Sequence, residues 1–263
     1  MRIISLLFSL LLVGCNLRTL PLSDPLSIPE TIEPTQMITA EANIWKMLLP
    51  GLERRQIRSG NTLFESVRID PNYFSFRVHY QPGDPLALDR WQATLPTAEV
   101  IINANFFHPD HTILGLLVSD GIAYGQALNN RGGTFFVQNG LVGIRSNVYQ
   151  PYNGDPFEQA IQAFPMLVYN GAAAYQNARD TRPSRRTIIG QDSAGRITLL
   201  VTPGFDPGLY ELSQQLPQTD LELTHALNLD GGGSTMMYIA QDHYRLRSFD
   251  PVPAVLAIYP KER

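Results

Sequence analysis

Apolar positions recur along this chain mostly at every second residue, in short runs. From Tyr73 to Tyr80, Phe74, Phe76, Val78 and Tyr80 alternate with Ser75, Arg77 and His79, the pattern of a strand with one buried face. Further β-branched or aromatic runs at residues 63–69, 100–103, 134–138, 196–202, 235–240 and 254–259 are separated by Gly, Pro, Asn and Asp, as strands in a sheet should be. Two segments carry helix-start signals. Asp155-Pro156 sets a capping carboxylate before a proline suited to a first helical turn, and Phe157, Ala160, Ile161 and Phe164 follow at helical spacing. Asp206-Pro207 repeats the arrangement ahead of Leu209, Leu212 and Leu216. Many strands with few helices predict an α+β fold, a strand-rich single domain around a large mixed sheet with a few short helices.

The amino end breaks the pattern. Arg2 precedes an apolar run from Ile3 to Val13 that ends in Gly14-Cys15. The run falls short of the roughly 20 apolar residues of a membrane span and has the layout of an export signal. Leu12-Val13-Gly14-Cys15 resembles the lipobox of bacterial lipoproteins, whose cysteine is acylated and becomes the new amino terminus; the alternative is an ordinary export signal with a chance cysteine. Residues 16–40 space Pro21, Pro25, Pro29 and Pro34 among serines and threonines, a composition that buries too little to fold alone. The expected organisation is a signal peptide over 1–14, a lipidated cysteine and flexible tether over 15–40, and the folded domain over 41–263. Export and membrane attachment through Cys15, facing the periplasm or the cell exterior, follow from that layout.

Composition narrows the function. A net charge of −4 argues against nucleic acid as a partner. Cys15 is the only cysteine, so its lipidation leaves no thiol for a disulfide, a nucleophile or a thiolate metal site. Neither a Ser-His-Asp elbow nor a Walker loop occurs. His108-Pro109-Asp110-His111 matches no established zinc spacing, and His225 reads as a strand residue. No cofactor is expected, and a divalent metal is left open.

Candidate chemistry gathers where apolar runs end. Residues 226–230 read as a strand entering Gly231-Gly232-Gly233 and Ser234-Thr235. Such a turn can point several backbone N–H groups at an oxyanion, flanked by Asp230 and Ser234; a tight turn between core strands accounts for it equally well. Asn103 and Asn170 end two other runs, and Arg182, Arg185 and Arg186 precede a strand that begins at Thr187.

Taken in order, Pro50-Gly51-Leu52-Glu53, the stretch from Asn103 to Phe107, Gly115 to Gly121, Pro165 to Gly171, Arg186 to Gly190, Asn228 to Ser234 and Val252 to Leu256 resemble the phosphodiester glycosidase family. The likeness runs from about Trp45 to Tyr259. It implies cleavage of the bond between a sugar's anomeric carbon and a phosphodiester oxygen, through an oxocarbenium-like transition state. Asp230, Arg186 and Asn103 form the implied catalytic set: Asp230 stabilises the anomeric charge or activates water, and Arg186 neutralises the phosphate, with Arg185 in reserve. Asn170, Thr187, Ser234 and the N–H groups of Gly231, Gly232 and Gly233 would bind substrate oxygens. The plain alternative for Asn103 and Asn170 is to cap their own strands. A second carboxylate is expected, with Asp120, Asp192 and Glu222 as candidates. In the family the closing strand is often introduced by an arginine; here that place holds Asp250, with Arg247 nearby. The implied partner is a glycan or sugar phosphate, and two alternatives stand beside the phosphodiester hydrolase: a glycosidase acting on phosphate-free glycans, and a non-catalytic glycan-binding or envelope-assembly lipoprotein.

Overall fold

The structure is a computed structural model and describes residues 44–205 and 208–262. The expected signal segment, Cys15 and tether lie outside the described residues, as does the Asp206-Pro207 capping pair. The chain runs through β1 (Lys46–Leu49), β2 (Leu52–Ser59), β3 (Thr62–Ile69), β4 (Phe74–Tyr80), helix α1 (Leu88–Thr94), β5 (Val100–Asn103), β6 (Leu117–Ser119), β7 (Ile122–Tyr124), β8 (Gly133–Gln138) and β9 (Leu141–Ser146). It continues through β10 (Gln159–Ala163), β11 (Met166–Tyr169), β12 (Ala172–Ala173), β13 (Thr187–Asp192), β14 (Ile197–Val201), helix α2 (Leu209–Gln215), β15 (Leu223–Asn228), β16 (Met237–Ile239), β17 (Tyr244–Leu246) and β18 (Ala254–Pro260).

These strands form one eight-stranded sheet, in the order β1-β2-β3-β14-β13-β15-β11-β12, and two of five strands, β7-β6-β10-β8-β9 and β17-β16-β5-β18-β4. Every pairing between described strands is antiparallel, so three antiparallel sheets replace the expected single mixed one. The reason is connectivity. Parallel neighbours need long crossovers, usually helical, and the described helices are two short ones and brief 3₁₀ turns.

One apolar core joins all three sheets, with Val67, Ile102, Phe135, Ile189, Leu227 and Leu256 among its members. The other face of the large sheet is covered by α2, whose Leu212 packs with Leu167, Ile188, Leu200 and Ala226. Ile188 and Ile189, Leu199 and Leu200, and Ala226 and Leu227 thus serve opposite faces that are both buried. α1 covers the outside of the third sheet through Leu88 and Trp91 against Ile101, Met236 and Val255.

The strand at Tyr73 to Tyr80 keeps its predicted faces: Phe74, Phe76 and Val78 are buried and Arg77 is exposed. The helix expected after Asp155-Pro156 is strand β10 instead. Its five residues are all buried, Ala160 packing toward Phe157 on one side and Ile161 and Ala163 toward the main core on the other. With both faces apolar, helical spacing and strand alternation fit the same letters, and pairing with β6 and β8 decides between them. Asp155, the presumed cap, accepts a bond from Arg145 at 2.7 Å.

Candidate active site

Strand register brings three separate chain segments to one end of the large sheet. Ile188 of β13 lies opposite Asn228 of β15, and Met166 of β11 lies opposite Leu227. Arg186 before β13, Asp230 after β15 and Phe164-Pro165 before β11 therefore arrive together. The third sheet reaches the same place where Asp230 N–H donates to Ala104 O just past β5 (3.1 Å). The meeting point is a cavity of about 350 Å³ lined by Phe106, Phe164, Tyr175, Asp180, Arg182, Arg186, Asn228 and Asp230.

Asp230 is largely enclosed, and burial pushes its carboxyl up to about 6. Hydrogen bonds from Ser234 and from Gly231 N–H (2.8 Å) oppose the rise, and the charge of Asp250 adds to it. A carboxyl set near neutrality in a cleft is the kind of group acid–base chemistry uses.

Asn103 lies beneath this loop and is 1% exposed. Its Nδ2 donates to Asp230 O (2.6 Å), while its Oδ1 accepts from Thr187 Oγ1 (2.7 Å) and Met236 N–H (3.1 Å). Both Asn103 and the fully buried Thr187 are spent on holding β5, β13 and the Asp230 loop in register. They are positioning residues, in place of the substrate contacts expected for them.

Gly231 and Gly232 line the cavity, and the N–H groups of both are engaged within the protein. Gly231 N–H serves the Asp230 carboxylate, Gly232 N–H donates to Arg185 O (2.8 Å) and Ser234 N–H to Gly231 O (3.2 Å). Gly232 takes a positive φ of 62°, and a side chain at Gly233 would run into the Asp250 carboxylate. The glycines are required by close approach of chain segments, and the positive pole of the cleft comes from arginine.

Arg186 is 8% exposed, lines the cavity and forms no ion pair among the described residues. Its Nη2 donates to Arg182 O (2.8 Å), its Nε has no partner, and burial lowers its pKa. Hydrogen bonds between Arg186 and Thr202 fix its backbone against the chain leaving β14. Arg185 points elsewhere: it donates to Arg247 O and Thr235 O and lies over the Phe249 ring, tying the loop together. Arg247, the expected substitute for the family arginine, pairs with Asp89 at the surface.

Asn170 is not in this cleft. It sits at positive φ in the turn after β11, where Gly171 N–H meets Thr224 O, at the opposite end of β15 from Asp230. The amide that lines the cleft is Asn228, whose Nδ2 donates to Phe164 O (3.1 Å) and whose buried Oδ1 has no partner. The three carboxylates proposed as partners of Asp230 also lie elsewhere. Asp120 bonds Arg77 and Gln159, Asp192 is held by Arg196 at the far end of β13, and Glu222 is a turn residue before β15. The second carboxylate of the cavity is Asp180, which accepts from Tyr175 Oη (3.0 Å). Its signal was present in the sequence: it is the only acid between Glu158 and Asp192, two residues before Arg182. His108 to His111 form a turn in which Asp110 accepts from Thr112, and among the described residues no three His, Cys, Asp or Glu side chains are grouped to hold a metal.

The family described as phosphodiester glycosidase matches residues 96–259. Among solved structures, the chain resembles the catalytic domain of zebrafish N-acetylglucosamine-1-phosphodiester alpha-N-acetylglucosaminidase, auto-inhibited by its pro-peptide (TM-score 0.60, 20% identity, covering 84% of this chain and 87% of that one). A protein from Synechocystis has a TM-score of 0.59 at 17% identity, covering 80% of this chain and 62% of that one. A protein from Burkholderia pseudomallei K96243 has a TM-score of 0.53 at 12% identity, covering 80% and 74%. These likenesses show a shared fold. No curated protein sequence matches significantly.

Proposed function

The chain belongs to the phosphodiester glycosidase family, and we propose that it is an exported, lipid-anchored hydrolase that cleaves the glycosidic bond of sugar-1-phosphodiesters in envelope or extracellular glycans. The zebrafish enzyme's name specifies an N-acetylglucosamine-1-phosphodiester, and the same bond is the proposed target here. One observation carries the reading: a largely buried carboxylate and a buried guanidinium without an ion-pair partner line one small cavity.

In the proposed reaction the anomeric C–O bond breaks and the oxygen departs with the phosphate, while water adds at the anomeric carbon. Arg186, with Arg182 beside it, neutralises the departing phosphate; a guanidinium suits this because it can contact two phosphate oxygens at once. Asp230 in its ionised form faces the positive charge at the anomeric carbon, and Asp180 takes the proton from the attacking water. Asn228 Oδ1 supplies an open acceptor for a sugar hydroxyl. Phosphate leaves readily, so electrostatic support outweighs acid catalysis at the leaving oxygen.

The test is release of free N-acetylglucosamine from its 1-phosphate methyl diester. Asp230→Ala is expected to lower kcat/KM by about 100-fold or more and Arg186→Lys by about 10-fold or more. The wild-type rate should climb as pH rises through about 6, where Asp230 ionises. Unchanged activity in Asp230→Ala would refute the assignment.

A second reading rests on Asp250, an acid close to Asp230 where the family often has arginine. An added negative charge there disfavours a phosphate and suits a phosphate-free glycan. Turnover of paired substrates with and without the phosphate separates the two, and tight glycan binding without turnover of either would mark a binding protein.

A further inference from the structure

A second cavity, of about 620 Å³, opens beside the Asp230 cleft and shares Phe164, Pro165 and Tyr175 with it as common walls. Its far side is a tyrosine platform. Tyr149 and Tyr169 stack with ring centroids 5.0 Å apart and planes 24° from parallel, and Tyr149 remains 68% exposed. Near the common wall, Arg131 lies 4.2 Å over the Phe164 ring, which itself stacks on Phe106 at 4.8 Å. Among the described residues Arg131 is the only charged side chain lining this second cavity, and Asn130, Ser146 and Gln176 supply uncharged polar groups.

The facing sides of Tyr149 and Tyr169 close each other, and the exposed Tyr149 ring, in a lining that also offers amides and a hydroxyl, suits one chemical class well. A pyranose presents an apolar face of C–H groups that can lie on an aromatic ring, with hydroxyls at its rim that seek hydrogen bonds. Tyrosine gives such contact area with little conformational freedom to lose. The described lining carries no acid and one cation, so a neutral or phosphate-bearing glycan meets no charge repulsion from it. The cavity that holds the tyrosine pair also shares a wall with the cleft where the scissile bond would sit.

We infer that the Tyr149–Tyr169 platform is an extended glycan subsite, so that the substrate is an oligosaccharide or polymer carrying the sugar-1-phosphodiester, not a lone sugar phosphate. This inference rests on the proposed hydrolase reading for its place beside the scissile bond. Tyr149 is a specificity residue in it, reached only by the glycan beyond the cleaved linkage.

The experiment compares two substrates with the full-length protein in detergent: N-acetylglucosamine-1-phosphate esterified to methanol, and the same group esterified to a linear tetrasaccharide. Tyr149→Ala should raise KM about tenfold for the tetrasaccharide diester with kcat unchanged, and leave the methyl diester unaffected. Tyr149→Phe, which keeps the ring, should behave as wild type. An equal change on both substrates, or none on either, overturns the subsite. If wild-type protein turns over neither diester, the hydrolase reading fails and the subsite is judged by calorimetric binding of linear glucose, glucosamine and mannose tetrasaccharides. Binding weakened tenfold by Tyr149→Ala but retained in Asp230→Asn supports it. Binding of none of them, or binding indifferent to Tyr149→Ala, removes it.

Discussion

Asp230 holds its proton more tightly in the folded protein, near pH 6, than the value of about 4 of an unfolded chain. Its contribution to stability is therefore complete below pH 4 and is lost as pH rises through 6. Asp230→Asn keeps the shape without the buried charge. The variant should exceed wild type in unfolding free energy by about 2–3 kcal/mol at pH 7 to 8 and converge with it below pH 4, measured by denaturant unfolding across that range. A difference independent of pH would mean that burial of the charge is not what raises the carboxyl. The residue itself was legible in the sequence, because an aspartate at a strand end before three glycines marks a place where chain and function crowd together. The use of its neighbours was not. Asn103 shows the reason: an amide beneath a loop has the same letter as an amide in a cleft, and only the partners at 2.6 to 3.1 Å distinguish them. Asn170 and Asn228 exchange roles on the same ground, since register alone decides which end of the sheet each occupies.

At the scale of elements, α2 borders the cavity with Leu209 and is tied to the chain around it by one hydroxyl. Ser213 is fully buried, donates to Leu167 O (2.6 Å) and accepts from Tyr175 N–H (3.0 Å), so it ties the helix to β11 and to the segment carrying Tyr175 and Asp180. Ser213→Ala leaves both backbone groups without that partner and should cost about 1–3 kcal/mol in unfolding free energy, with a raised KM as Tyr175 loosens. Full wild-type stability in the variant would show that the helix is held by its leucines alone. The elements most legible in the sequence were those with one buried face, such as β4, or with clear boundaries, such as β5 and β18. β10 was misread because both its faces are buried, which erases the period that distinguishes strand from helix. α1 went unpredicted for a related reason: its N-cap is Ala87, with no side-chain cap to announce it.

For the whole molecule, the proposed arrangement is a cleft carried on a tether from Cys15. Cys15→Ser should move the protein from the membrane fraction to the soluble fraction while leaving its turnover per molecule unchanged, read by fractionation and by assay of both fractions. Retention in the membrane would show that something other than a lipid on Cys15 holds it. The strand-rich character, the family, and Asp230 and Arg186 as candidates can be read from the letters alone, because alternation, composition and ordered motifs are local properties of a chain. The three antiparallel sheets, the buried Arg186 that forms no ion pair among the described residues, the use of Arg185 on backbone carbonyls and the cavity that Asp180 shares with Asp230 belong to the assembled fold. Those facts depend on which strand ends coincide in space. Register across β13, β15 and β11 sets that coincidence, and register follows from burying two faces of a sheet at once, a property of the assembled core and not of any one segment.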